Sequence, residues 1–332
     1  ESRRPGSGSL RAMLTTLIAL LAAAIGLPGG PPVAMDCLAY DPATNRIWVP
    51  AGNTGAVDVV DVDTGKVTAI GGFATAAARR PGRPRLGPSS ATVGEGVVWV
   101  GNRADGRLVA YDARSLAQTS ACQLGSMPDG LAYVRTTHEV WVTTPGDRSI
   151  TIVGARPKTA AVRATIRLDG EPEGYAVDEA RGLFFTNLED EDSTLAIDIR
   201  TRKVASSWPA RCGEGGPRGL AIDRTRGWLF VACTNGAVAV DVEHGGRMLG
   251  RLETGGGVDN LDYDPRRQLL FVASGAAGQM TIARVDSRGA PHPFRVVATA
   301  RGARNPILDG RGRAYVEDAA AGRLLVVDPD AP

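Results

Sequence analysis

The chain has 332 residues, 43% hydrophobic, 5% aromatic and 22% charged, a globular composition that excludes wholesale disorder, a collagen and a polytopic membrane protein. Lys plus Arg number 38 against 36 Asp plus Glu, a formal net charge of +2, which supplies no overall field for nucleic acid or an anionic bilayer. Forty-two glycines and 21 prolines suit an all-β chain with frequent turns better than a helical one.

Arg3, Arg4 and Arg11 precede an apolar run from Met13 to Leu27, and no charge occurs between Ala12 and Ala34. The strongly apolar part is shorter than the roughly 18–20 residues of a spanning helix, and Ala22, Ala23 and Ala24 offer small residues for cleavage. Residues 1–24 therefore read as a signal peptide or N-terminal anchor ahead of one domain over 25–332, in an exported, periplasmic or secreted protein. A lipid-tethering helix or a buried strand is the alternative reading of the same segment.

From there on a period governs the chain, and a fixed period decides architecture before any single residue does. Apolar triplets centred on an aromatic recur at Trp48, Trp99, Trp141, Phe184, Phe230, Phe271 and Tyr315, in steps of 51, 42, 43, 46, 41 and 44 residues. Each unit runs in one order: a segment such as Leu220 to Asp223, a polar turn, the aromatic triplet, a Gly- or Asn-containing loop, and an alternating strand ending in Asp. A last strand leads to the next unit. Four short strands per unit cannot bury a core alone but can when stacked radially, which predicts a seven-bladed β-propeller of four-stranded antiparallel blades. The long first step comes from a Pro- and Arg-rich insertion, Phe73 to Ser90. The last unit stops at its third strand, Arg323 to Asp328, so ring closure calls on residues near Ile18 to Leu27, in conflict with cleavage after Ala24.

Four cysteines are present, and Cys212 and Cys233 lie 21 residues apart near strand ends of one unit. A disulfide there fits an oxidising compartment, and two buried free thiols are the alternative. Neither a C-x-x-C pair nor a Cys/His cluster with zinc spacing occurs, and the absence of C-x-x-C-H removes a haem carrier.

Several units also carry recognisable text. Pro128 to Ala132, Pro172 to Ala176 and Pro217 to Ala221 lead into Asp-rich turns and V-W-V or L-F-V strands, and Asp41 to Val49 with Asp61 to Val67 spell the repeat most fully. Over about residues 25 to 330 this resembles the YVTN-repeat propellers, specifically the bacterial exported proteins called YncE-like. The G-H and W-D signatures of WD40 repeats are absent. The resemblance implies the propeller fold and an exported location; function cannot be inherited with the fold.

Aligning the units puts one residue of each at the mouth of the central channel: Asp36, Ser89, Asp129, Glu173, Arg218, Asp259 and Arg304. Convergent charge of this kind suits a small polar ligand or an envelope protein partner, or else closes on itself as a structural ring. In the insertion, Arg79, Arg80, Arg83 and Arg85 could form a lid or grip carboxylates, phosphates or an acidic partner. The acidic loop Asn187 to Ser193 could offer oxygens to Ca²⁺ or another divalent cation, but its spacing matches no dedicated site and reads as solvated. The three histidines, His138, His244 and His292, fall in turns and connections away from the ring, so no Ser-His-Asp set assembles there. Glu173, Asn187, Asn235 and Asp259 form a weak metal set of the kind that lactonase propellers use. The leading expectation is a monomeric, non-catalytic binding or scaffold module without nucleic-acid partners, with membrane contact only through the N-terminal segment. A metal-dependent hydrolase or lyase built on channel carboxylates is the alternative, and docking to a membrane redox complex a weaker third.

Overall fold

The computed structural model describes residues 23–331 except 79–80 and 157–158. The signal or anchor segment up to residue 22, and Arg79 and Arg80 of the insertion, lie outside the described residues. Seven four-stranded antiparallel sheets each run from the first strand of a unit to its last. Their first strands touch one another in sequence and the last meets the first, so the sheets close a ring around a central channel. The molecule is an all-β, seven-bladed propeller. Among the described residues no helix is long and apolar enough to cross a membrane.

The apolar core lies between blades rather than within them, because a single twisted sheet of four short strands has no second layer of its own. Seven hydrophobic clusters each straddle one of the blade interfaces. Second strands are packed on both faces, and Val97–Asn102, Glu139–Thr144 and Trp228–Cys233 are buried at every residue. A strand in that position needs a continuous apolar run instead of alternation, which is what the aromatic triplets supply. Outermost strands face solvent and read accordingly: Lys203–Pro209 buries only Trp208.

Register corrects one member of the aromatic series. In six blades the central aromatic packs into the interface with the next blade, as Trp141 does opposite Ala132 and Phe230 opposite Ala221. In blade four the residue opposite Ala176 is Phe185, and Phe184 turns to the preceding interface instead. Both phenylalanines are apolar and adjacent, so pattern alone does not separate them.

The recurrent aspartates have a common physical cause. At the end of the third strand, Asp61 accepts hydrogen bonds from Thr64 N, Asp112 from Ser115 N and Asp198 from Thr201 N. After the first strand Asp223 receives Thr225 N and Arg226 N, and Asp309 receives Arg311 N and Arg313 N. Each carboxylate closes a tight turn that would otherwise leave amide donors bare.

Blade seven is completed from the other end of the chain. Ala23–Gly26 pairs antiparallel with Val326 to Arg323 as the outermost strand, and Leu27 N donates to Gly322 O at 2.9 Å. The strand includes Ala23 and Ala24, so cleavage after Ala24 would leave it Ile25 and Gly26 alone. The insertion folds back on itself through an antiparallel bridge between Ala76 and Leu86. Cys212 and Cys233 form a disulfide, Cys212 in the connector between blades four and five and Cys233 the last residue of a second strand. His292 lies inside the outermost strand Pro291–Ala298 of blade six and not in the connection before it.

Candidate functional site

The channel encloses a cavity of about 650 Å³ lined by the first strands of the blades. Neighbouring first strands approach closely at its mouth, which explains the glycine that follows the charged residue in three units. Gly174 has φ +66°, and a Cβ there would stand 2.5 Å from the Arg218 carbonyl oxygen.

Six of the seven aligned residues, Asp36, Asp129, Glu173, Arg218, Asp259 and Arg304, line this one cavity. The seventh does not. A register shift between Pro88 and Ser90 makes Ser89 the extra residue of a bulge, and Ser89 lines a separate cavity under the insertion. The sector it leaves is filled by Arg103, which follows the second strand of blade two. Arg103 Nη1 lies 2.8 Å from Asp36 Oδ2 while Nη2 contacts Asp129.

The pairing continues round the ring. Arg304 Nη2 is 3.9 Å from Asp36 and its Nε 3.0 Å from Asp259. Arg218 Nη1 is 3.5 Å from Asp259 and its Nη2 2.8 Å from Glu189. Asp129, Arg103, Asp36, Arg304, Asp259, Arg218 and Glu189 thus alternate strictly in sign from blade three backwards to blade four. Glu173 stands at the break in that chain and has no ion-pair partner within it. Burial first, then the charges of Asp259, Asp36 and Glu189, push its carboxyl up to about 8, so it is a neutral acid at pH 7.

Beneath the mouth, Asp36 also accepts from Asn305 Nδ2 at 3.1 Å. Buried Glu317 accepts from the backbone N–H groups of Arg304 and Asn305, which fixes the peptide carrying Arg304. Burial pushes Glu317 up to about 8. Deeper still, Tyr175 packs against Gly130, where a Cβ would lie 2.8 Å from its ring. Asp262, pushed up to about 6 by burial, accepts from Leu308 N and Tyr263 N, both at 2.8 Å.

In the acidic loop Asp190 and Glu191 are exposed. Glu189 belongs to the ring, Asp190 pairs with Arg148 at 2.8 Å and accepts from Glu171 N, and Asp192 accepts from Cys212 N and Gly213 N. These three carboxylates are drawn to different neighbours, which leaves them no common point for a cation. Nor do Glu173, Asn187, Asn235 and Asp259 converge: Asn187 is buried, donating to Arg218 O and accepting from Thr194 Oγ1, and Asn235 lines neither cavity. Among the described residues no group of three or more His, Cys, Asp or Glu side chains could hold a metal ion. The exposed histidines each pair with an acid, His138 with Glu95, His244 with the buried Asp241 and His292 with Asp286.

Arg103 and Glu189 are the ring members that alignment of the first strands omits. Both come from the loop after a second strand, which opens on the same face. The available signal was the uncharged Ser89 in the column, with Asn102-Arg103 waiting in the same unit.

Arg83 and Arg85 line the cavity under the insertion, which measures about 490 Å³ and shares Asp36, Arg103 and Arg304 with the channel mouth. Arg85 donates to Thr75 O and Oγ1.

No family model matches the chain. No curated protein matches it either. Solved structures do. A chain of the structure described as the mitotic checkpoint complex superposes with a TM-score of 0.76 at 13% identity, covering 99% of this chain and 98% of that one. A chain of hydrazine synthase from Kuenenia stuttgartiensis gives 0.74 at 14% identity, covering 97% and 100%, and streptogramin B lyase gives 0.70 at 12%, covering 92% and 97%. Identities this low carry the seven-bladed fold across and nothing of the chemistry.

Proposed function

We propose that this chain is an exported, YncE-like propeller whose channel mouth binds a small polar ligand. One observation carries the reading: an alternating series of ion pairs round the mouth that breaks at Glu173, a carboxyl with no ion-pair partner beside an open cavity. With Glu173 neutral, Asp36, Asp129, Asp259 and Glu189 face Arg103, Arg218 and Arg304, so the mouth carries one excess negative charge. A ligand that is neutral or singly cationic and rich in hydrogen-bonding groups suits it, with Glu173 donating to an acceptor and the ring carboxylates receiving donors. The seven paired residues are held in place by one another, so little ordering entropy is lost on binding.

The disulfide and the YVTN-like text support export to an oxidising compartment. Propellers of this shape occur in a multi-protein complex and in a lyase, so a protein docking on the same mouth is the second use the platform allows. The hydrolase or lyase alternative keeps only Glu173 as an acid, since the metal set it needs does not converge.

The test is a thermal-shift panel of amines, amino alcohols, polyols and carboxylates on the wild-type chain and on the pair Asp129→Lys with Arg218→Glu. A polar neutral or cationic compound should raise the melting midpoint of the wild type and lose that effect in the folded double variant. Equal stabilisation of both proteins would retire the mouth as the binding site.

A further inference from the structure

The second cavity lies between the base of the insertion and the ring, and its chemistry differs from that of the channel. Ala34, Met35, Leu86, Pro88, Met127 and Ala319 supply apolar wall. Its floor is tightly made: a Cβ at Gly87 would collide with the Gly52 carbonyl, and Arg103 N donates to Gly87 O at 2.9 Å. At about 490 Å³ it falls in the size range of small-molecule sites.

The polar groups that border this apolar space are arginines. At the rim, exposed Arg83 and Arg85 make no ion pair among the described residues, whereas the ring arginines Arg103 and Arg304 are each shared by two carboxylates. The acids in reach are turned from an anion: Asp36 lies between Arg103 and Arg304, and burial pushes the carboxyl of Glu317 up to about 8.

We infer that this cavity is a second binding site, for an amphipathic monocarboxylate with an alkyl or aryl body. The body lies against Met35, Leu86, Pro88 and Met127, and the carboxylate takes the guanidinium of Arg83 and the Nη1 side of Arg85, whose Nε and Nη2 are held by Thr75. Apolar burial supplies affinity and the arginine forks supply orientation. Flexible Met127, 37% exposed, adapts the mouth to the chain that enters.

Calorimetric titration of the full chain with decanoate, decanol and butyrate tests this. Decanoate should bind saturably, and decanol and butyrate each at least about tenfold more weakly, a difference of about 1.4 kcal/mol. Arg83→Glu with Arg85→Glu should weaken decanoate by about tenfold or more, whereas Arg218→Glu should change it less than about twofold. No decanoate binding, equal binding of decanol, or an unaffected Arg83/Arg85 variant would overturn the site. Loss on Arg218→Glu would place the carboxylate in the channel ring, which overturns the second site and also contradicts a neutral or cationic ligand at the mouth.

Discussion

Glu173 stands where the alternation of the ring fails, and its protonation is the residue-scale consequence. Folded, the carboxyl is held at about 8 against an ordinary 4.5, so the native chain keeps a proton that the unfolded chain releases. Between those two values stability therefore falls as pH rises; below the lower one the effect vanishes, and above the upper one the penalty is constant. Glu173→Gln keeps the shape and removes the ionisation. Its denaturation midpoint should match wild type near about pH 4 and exceed it increasingly toward about pH 8. Parallel pH profiles of the two proteins would show that Glu173 ionises freely in the fold. Ser89 teaches the converse at the same scale, because its hydroxyl lies outside the channel, buried and without a hydrogen-bond partner.

Among elements, the N-terminal strand Ala23–Gly26 has the largest role for its size. It covers the hydrogen-bonding edge of Arg323–Val327, and Ile25 packs into the cluster shared by blades seven and one. A chain beginning at Leu27 loses a few backbone hydrogen bonds and part of one apolar side chain, about 3 kcal/mol together, relative to a chain beginning at Ala23. Urea denaturation of the two should resolve that difference. The shorter chain also exposes an apolar strand edge and should associate at high concentration, which light scattering measures. Equal stability would mean that three strands suffice to close the ring.

For the molecule as a whole, the interfaces between blades hold the fold, and protection should follow radius. Second strands such as Val97–Asn102 are buried throughout, whereas the outermost Thr159–Arg167 and Lys203–Pro209 expose most of their side chains. Amide exchange by mass spectrometry should reach the outermost strands first and the second strands last, in all seven blades. Fast exchange confined to one entire blade would show that interfaces differ in strength. Long-range closure is also visible at the channel mouth, where Asn305 binds Asp36 across 269 residues of sequence.

Seven aromatic triplets and the turn aspartates were legible from composition and spacing, because every blade solves the same packing problem with the same local means. Six of the seven mouth residues were legible for the same reason, since one alignment column is one end of one strand. The Phe184 and Phe185 assignment was not, because register depends on pairing across the sheet. Nor were Arg103 and Glu189 in the ring, Ser89 outside it, or the neutral state of Glu173. Each of these depends on how far a side chain from one blade reaches toward another, and on which charges stand near it once water is displaced. Repetition along the chain specified the blades and how many there are. Distances across the closed ring, which no local pattern encodes, settled which charges pair and which carboxyl is left with its proton.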